Sequence, residues 1–221
     1  MQSTGLNIIA ISIFTITLSV LLGPLLHISP VIPALTTFAL MGLVTVDTLA
    51  YENKGVNLLL DFFASTQQRE RVIYHEAGHF LVGTLFNIPI VNYSLSAWEF
   101  IQQNKTGSGG VVFDYSFLDK KITNLTDFNL NIDRFCLVLM SGIAAENIIY
   151  GNNQGGNEDY QLLETTLLSL GFSENLCQQK QRWALLQATN LIKQNLPSYQ
   201  ALVEGMKAKK SIEECQKIVS G

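Results

Sequence analysis

The sequence predicts a mainly α-helical protein with one small β-hairpin, built as a two-helix transmembrane hairpin followed by a helical domain. Three observations predict it. Residues 1–46 contain no Asp, Glu, Lys or Arg. Beyond them, most apolar residues recur at the three-and-four spacing of helices buried on one face. One stretch, Pro89 to Phe113, instead alternates and then turns.

The 221 residues allow one large domain, or a small domain with an appendage. Only 14% of residues are charged against 48% hydrophobic, and the uncharged N-terminal segment accounts for the imbalance. The net charge of −4, with no basic block, excludes nucleic acid as an expected partner. Cys136, Cys177 and Cys215 are odd in number, and no C-x-x-C occurs. They suggest a reducing compartment rather than a disulfide framework. The glycosylation patterns at Asn92, Asn104 and Asn124 are therefore expected to be idle.

Leu6 to Leu22 and Val31 to Val46 are apolar runs near the length that crosses a bilayer core, with a turn expected over His27–Pro33. No charged segment precedes the first run, which argues against a cleaved signal peptide. A buried hairpin inside a soluble domain is the competing reading. Lys54, Arg69 and Arg71 follow the second run, so positive-inside logic places both termini and the main domain on the cytoplasmic or stromal side. The expected divisions are a transmembrane hairpin at 1–50, a linker and interfacial helix at 51–65, and the main domain at 66–221. Val56 to Ala64 is the apolar part of the second.

Ser65 and Gln68 resemble a capping box opening a helix that runs to about Asn87. That helix carries His75-Glu76-Ala77-Gly78-His79, an H-E-x-x-H pattern. Histidines four apart share one helix face, so both imidazoles can reach one ion. The adjoining glutamate can then take a proton from water at the open metal position. The bland alternative is a buried helix with two hydrogen-bonded histidines.

Tyr93, Leu95 and Ala97 alternate with Ser94 and Ser96 as in a half-buried strand, Gln102 to Gly110 is turn-like, and Val111 to Phe113 returns. The hairpin's free edge could accept a peptide as an added strand, or the sheet could simply cover the core. Ile132, Phe135, Cys136, Leu139, Met140 and Ile143 mark a core helix ending near Tyr150, capped by Thr126-Asp127 or Asn131. Ser141-Gly142 and Ala144-Ala145 form a small stripe that permits close approach of another helix. After a glycine-containing loop, Asn157 is expected to cap a helix with Asp159 in its first turn, where the helix N-terminus favours a carboxylate and suits a metal ligand. An ordinary surface helix start would look the same. Gly171-Phe172-Ser173 breaks that helix. A helix over Gln179–Leu196 and two shorter ones, Ser198–Met206 and Ser211–Val219, complete the chain.

Taken together, Val72 to His79, Leu139 to Gly151 and Gly155 to Asp159 resemble the FtsH family of membrane zinc proteases. They match that family's V-A-Y-H-E-A-G-H, L-x-G-G-R-A-A-E-E-x-x-x-G and G-A-S-N-D segments, and the likeness spans about Gln67 to Val219. It implies a zincin-type helical peptidase domain, zinc held by His75, His79 and Asp159, and Glu76 as general base. Glu146 would orient a ligand histidine from behind. The chain departs from the family in three places. Glu158 stands where the family has asparagine, which makes it a second candidate for third ligand. Ile143 replaces an arginine, and the segment Asp159–Gly171 is shorter.

The family's ATPase module has no counterpart here, and no G-x-x-x-x-G-K-[ST] loop occurs, so no ATP is expected to bind this chain. The expected activity is an ATP-independent, membrane-anchored zinc endopeptidase that cuts unfolded or flexible polypeptide segments. It would act alone, as a homo-oligomer, or with an FtsH-type ATPase or membrane complex. The alternative is an inactive scaffold, assembly factor or regulatory subunit that keeps the fold without the reaction.

Overall fold

The computed structural model describes residues 2–51, 54–96, 98–99, 110–116 and 125–221. The expected turn over Gln102–Gly110, Ala97 of the expected strand, and the patterns at Asn104 and Asn124 lie wholly or mostly outside them. The chain divides into two compact units, Met1–Ser65 with Ser96–Ser108, and Thr66–Leu95 with Gly109–Gly221.

The first unit contains α1 (Gln2–Leu22), α2 (Val31–Ala50) and α3 (Lys54–Phe62). Among the described residues one helix, Val31–Ala50, is long and apolar enough to cross a membrane, and the apolar part of α1, Ile9–Leu22, is shorter. The turn between them begins earlier than expected. Leu26 and Ile28 amides close on Gly23 O, at 3.1 and 2.8 Å, and His27 takes a positive φ of 57°. Pro33 lies inside the first turn of α2, where a missing N–H leaves no intrahelical bond unmade. The hydroxyls of Thr36, Thr37, Thr45 and Thr48 donate to the carbonyl four residues back. That satisfies these hydroxyls within their own helix. At the end of α2, Asp47 accepts the Gly55 and Val56 amides, both at 2.9 Å, and so caps α3.

The second unit contains α4 (Thr66–Leu85), an antiparallel hairpin of β1 (Ile90–Ser94) and β2 (Gly110–Phe113), α5 (Leu125–Tyr150), α6 (Asn157–Ser169), α7 (Glu174–Gln194), α8 (Leu196–Lys207) and α9 (Ile212–Ser220). α5 is the centre, with α4 and α7 packed against it. Its expected apolar face, Ile132 to Ile143, is buried throughout. α4 meets it closely because Gly78 has no side chain: a Cβ there would lie 2.5 Å from Ser141 O and 2.8 Å from Ala145 Cβ. Tyr199 of α8 donates to Tyr74 O at 2.8 Å and fixes α8 on the back of α4.

Several boundaries differ from expectation for identifiable reasons. The hairpin has a register irregularity between Ile90 and Asn92; Tyr93 and Leu95 pack on the core as expected, but Ser94 is buried as well, its hydroxyl accepting the Gly110 amide at 3.3 Å. α7 starts at Glu174, five residues before Gln179, because Ser173 accepts the Leu176 amide as its cap. It ends at Gln194, and Pro197 sits in the first turn of α8 instead of terminating α7. Ser211 and Glu214 form a reciprocal capping box on α9.

Candidate metal centre

Two turns of α4 carry the site's histidines. His75 and His79 are both buried and their Nε2 atoms stand 3.0 Å apart. Each ring is fixed from behind. His75 Nδ1 lies 2.8 Å from Glu146 Oε1, and His79 Nδ1 lies 2.7 Å from Val138 O. Both acceptors call for an N–H on Nδ1, which leaves each Nε2 as a bare lone pair in the neutral ring.

The third member arrives from α6. The loop after α5 turns at Gly156, with φ 86°, and a Cβ there would lie 2.2 Å from Ile143 Cγ1. Gly156, not Asn157, is therefore the N-cap, and it forms no side-chain cap. α6 starts one residue sooner than expected and Asp159 faces the histidines. Asp159 Oδ2 is 3.0 Å from His75 Nε2, and Oδ1 is 3.5 Å from His79 Nε2. Glu158, the alternative third ligand, is exposed and outside the cluster.

His75, His79 and Asp159 form a group that could hold a metal ion, with one ligand atom from each lying within 4.8 Å of the others. The chemistry fits a cation. Two imidazole lone pairs and a carboxylate point at one another in a buried space, an arrangement that repels itself unless positive charge lies between them. The spacing fits as well. Ligand atoms about 2.0–2.1 Å from a tetrahedral ion stand about 3.3–3.4 Å apart. The closest separations here are 3.0, 3.0 and 3.5 Å. Gly142 of α5 completes the cradle: a Cβ there would lie 2.4 Å from His75 Nε2 and 2.5 Å from His79 Nε2. A methyl group would stand almost where an ion would.

Titration reflects the same demand for positive charge. Burial opposes a charged His75, but its hydrogen bonds to Asp159 and Glu146 outweigh burial and push the group up to about 10. His79 is also raised, against burial, by the Asp159 charge. Asp159 moves the opposite way: burial favours its neutral form, and the two histidines hold it well below the usual carboxylate range.

Glu76 lies beside the cluster on the same helix. Its Oε2 accepts the Val111 amide of β2 at 2.8 Å, and a Cβ on Gly110 would come within 2.8 Å of the same oxygen. Gly110, with φ 99°, lets the strand start flush against the carboxylate. Glu146 is more fully engaged, accepting from Arg71, His75 and the Gln154 and Gly155 amides at 2.8 to 3.2 Å. Burial alone would raise its pKa, but these donors lower it.

The sequence reading named His75, Glu76, His79, Glu146 and Asp159, and the fold brings them together. It missed Arg71, which served there as a topology-setting charge but is buried against Glu146. A lone arginine with a partner 75 residues away leaves no local pattern. It also missed the Val111 amide and the Val138 carbonyl, since backbone groups have no residue type to read. All three cysteines are buried and unpaired, and burial pushes the Cys136 thiol up to about 12, so no thiolate chemistry competes. No protein-family profile matches the chain, and no curated protein matches it significantly.

Proposed function

We propose that this chain is a membrane-anchored, ATP-independent zinc endopeptidase of the FtsH type. The observation that carries the reading is the group His75, His79 and Asp159 with Glu76 beside it on α4. Nitrogen and oxygen donors in this number are the set of a catalytic zinc site that leaves one position open. Zinc there would supply an acidified water and a polarised peptide carbonyl. Glu76 would be the group that accepts a proton there and returns it to a leaving amine. Val111 N–H donates to Glu76 Oε2 and fixes that carboxylate. Glu146 and the Val138 carbonyl keep the two rings in the tautomer that offers Nε2.

The substrate class is polypeptide in unfolded or flexible segments, because the sequence contains no phosphate loop to power unfolding. An FtsH-type ATPase or another membrane complex would be the source of such segments, in association with this chain or its oligomer. Anchoring rests on α2, whose Phe38 and Leu49 are 77% and 82% exposed and suit lipid rather than water. The charge distribution supports a cytoplasmic or stromal domain. Lys54 and Arg69 carry that argument now that Arg71 is internal.

The test pairs metal content with cleavage in detergent-purified protein, using an unfolded protein as substrate. About one zinc per chain in wild type and Glu76→Gln, with cleavage lost in the variant alone, is the expected result. Zinc in both without cleavage in either, with or without an ATPase partner, would transfer the protein to the scaffold reading.

A further inference from the structure

We infer that Arg71 is a positioning residue of the metal centre, tying the carboxylate behind His75 to the loop that delivers Asp159. The inference rests on the metal-binding half of the reading above and not on its peptidase half.

Arg71 stands one turn before His75 on α4 and is 8% exposed. Its Nη1 lies 3.0 Å from Glu146 Oε2 on α5. Its Nη2 donates to Asn152 Oδ1 at 2.8 Å, and Nη1 reaches Asn152 O at 3.4 Å. The guanidinium plane lies over the Tyr150 ring, 4.2 Å from its centroid. One planar fork therefore spans the helix that supplies both histidines, the helix that supplies their supporting carboxylate, and the loop leading to the third ligand. Lysine, a point charge without a fork, cannot hold both acceptors in these directions.

The loop is tied to the same carboxylate. Its Gln154 and Gly155 amides donate to Glu146 at 2.9 and 3.2 Å, so the carboxylate that Arg71 anchors is also what the loop hangs from. From Gly156 the chain enters α6 directly, and Asp159 follows within one turn. A shift of the loop is thus a shift of Asp159.

Charge points the same way. Glu76, Glu146 and Asp159 gather three negative charges around a largely buried space. A divalent ion supplies two positive charges, and Arg71 is the side chain that supplies the third. Without it, Glu146 keeps His75 and the loop amides but loses the charge that faces its Oε2, and the site has reason to open.

The test compares wild type with Arg71→Met, Arg71→Lys and Asn152→Ala as full-length protein in detergent. Zinc affinity is measured by competition with a chromogenic chelator, and the cobalt(II)-loaded protein is read by its d–d absorption. Arg71→Met retains apolar contact with Tyr150 and is expected to bind zinc about 10–100-fold more weakly, with an altered cobalt spectrum. Arg71→Lys should recover part of that loss, and Asn152→Ala should lose less than Arg71→Met. A purely structural arginine would lower the melting temperature in chelator and leave the affinity of the folded fraction and its cobalt spectrum unchanged. Wild-type affinity and spectrum in Arg71→Met would overturn the inference. Should Arg71→Met not fold, wild-type values in both Arg71→Lys and Asn152→Ala would overturn it equally. Wild type that takes up no metal would remove both this inference and the reading beneath it. Wild type that binds zinc without cleaving would remove only the peptidase.

Discussion

Gly142→Ala adds one methyl group at the point where α5 faces the two ligand nitrogens. That Cβ would lie 2.4 and 2.5 Å from the Nε2 atoms of His75 and His79. Ordinary contacts of this kind lie at about 3.5 Å, so both rings must retreat by roughly 1 Å. In the metal-free protein they can do this by giving up part of their hydrogen bonds to Glu146, Val138 O and Asp159. With an ion bound they cannot, since the ion, Glu146 and Val138 O hold each ring at both ends. The overpacking cost therefore falls on the metal-bound state. One inserted methyl costs about 1–3 kcal/mol in a packed core, and the upper figure applies where neighbours cannot yield. About 3 kcal/mol corresponds to a roughly 100-fold loss of zinc affinity. The fold itself should be spared, because replacing a mid-helix glycine by alanine stabilises a helix by about 0.5–1 kcal/mol. Chelator competition measures the first effect, and thermal melting in excess chelator measures the second. Zinc bound by Gly142→Ala as tightly as by wild type would refute the placement of the ion between these nitrogens. Gly78→Ala is the control of opposite character. Its Cβ would meet backbone, Ser141 O at 2.5 Å, so it should lower the melting temperature with or without metal.

Asp159→Asn should lower zinc affinity at least tenfold while Glu158→Gln leaves it unchanged; equal losses in chelator competition would mean that both carboxylates are ligands. Gly156→Ala combines a φ of 86° with a Cβ 2.2 Å from Ile143 Cγ1, and should cost about 1–3 kcal/mol by chemical denaturation. Adding Ile143→Ala should relieve the clash but not the backbone strain. For pH, His75 is raised in the folded protein from 6.5 to about 10, so its contribution to metal-free stability is complete below pH 6.5 and lost by pH 10. Asp159 is depressed, so its contribution is present above the ordinary carboxylate range and lost as pH falls below it. Melts in chelator should therefore show declining stability from pH 6.5 to 10. Zinc must displace the His75 proton, so its Kd should fall about tenfold per pH unit over the same interval, and a flat profile would exclude His75 as the displaced acid.

What was legible in the sequence was what repeats or clusters locally. The α4 pattern declared its histidines because helix geometry alone brings residues four apart to one face. The buried face of α5 declared itself by periodicity. The choice between Asp159 and Glu158 was not legible: adjacent residues differ by about 100° around a helix, and the phase was set by Gly156 passing Ile143, a contact between separate elements. The small stripe Ser141–Ala145 was readable as a close-packing surface, but not that Gly78 would meet its backbone while Gly142 faced the ligand nitrogens. Ser94 is buried where a polar residue was expected to face solvent, because its hydroxyl finds the Gly110 amide across the hairpin, a partner that no local pattern marks. The second membrane-length run emerged as a helix four residues longer than its uncharged stretch, since Asp47 is retained as the cap of α3.

The contact between Val111 and Glu76 divides the work of the molecule between separable parts. His75, His79, Asp159, Glu146 and Arg71 all stand on α4, α5 and α6, whereas the amide that aims Glu76 comes from the hairpin. On the proposed reading, ion capture would fall to three helices, and proton handling would also involve the strand that holds Glu76. On that reading the hairpin is the increment that adds proton handling to a metal site, and Phe113, packed at Gly83, ties it to the helix that carries both histidines.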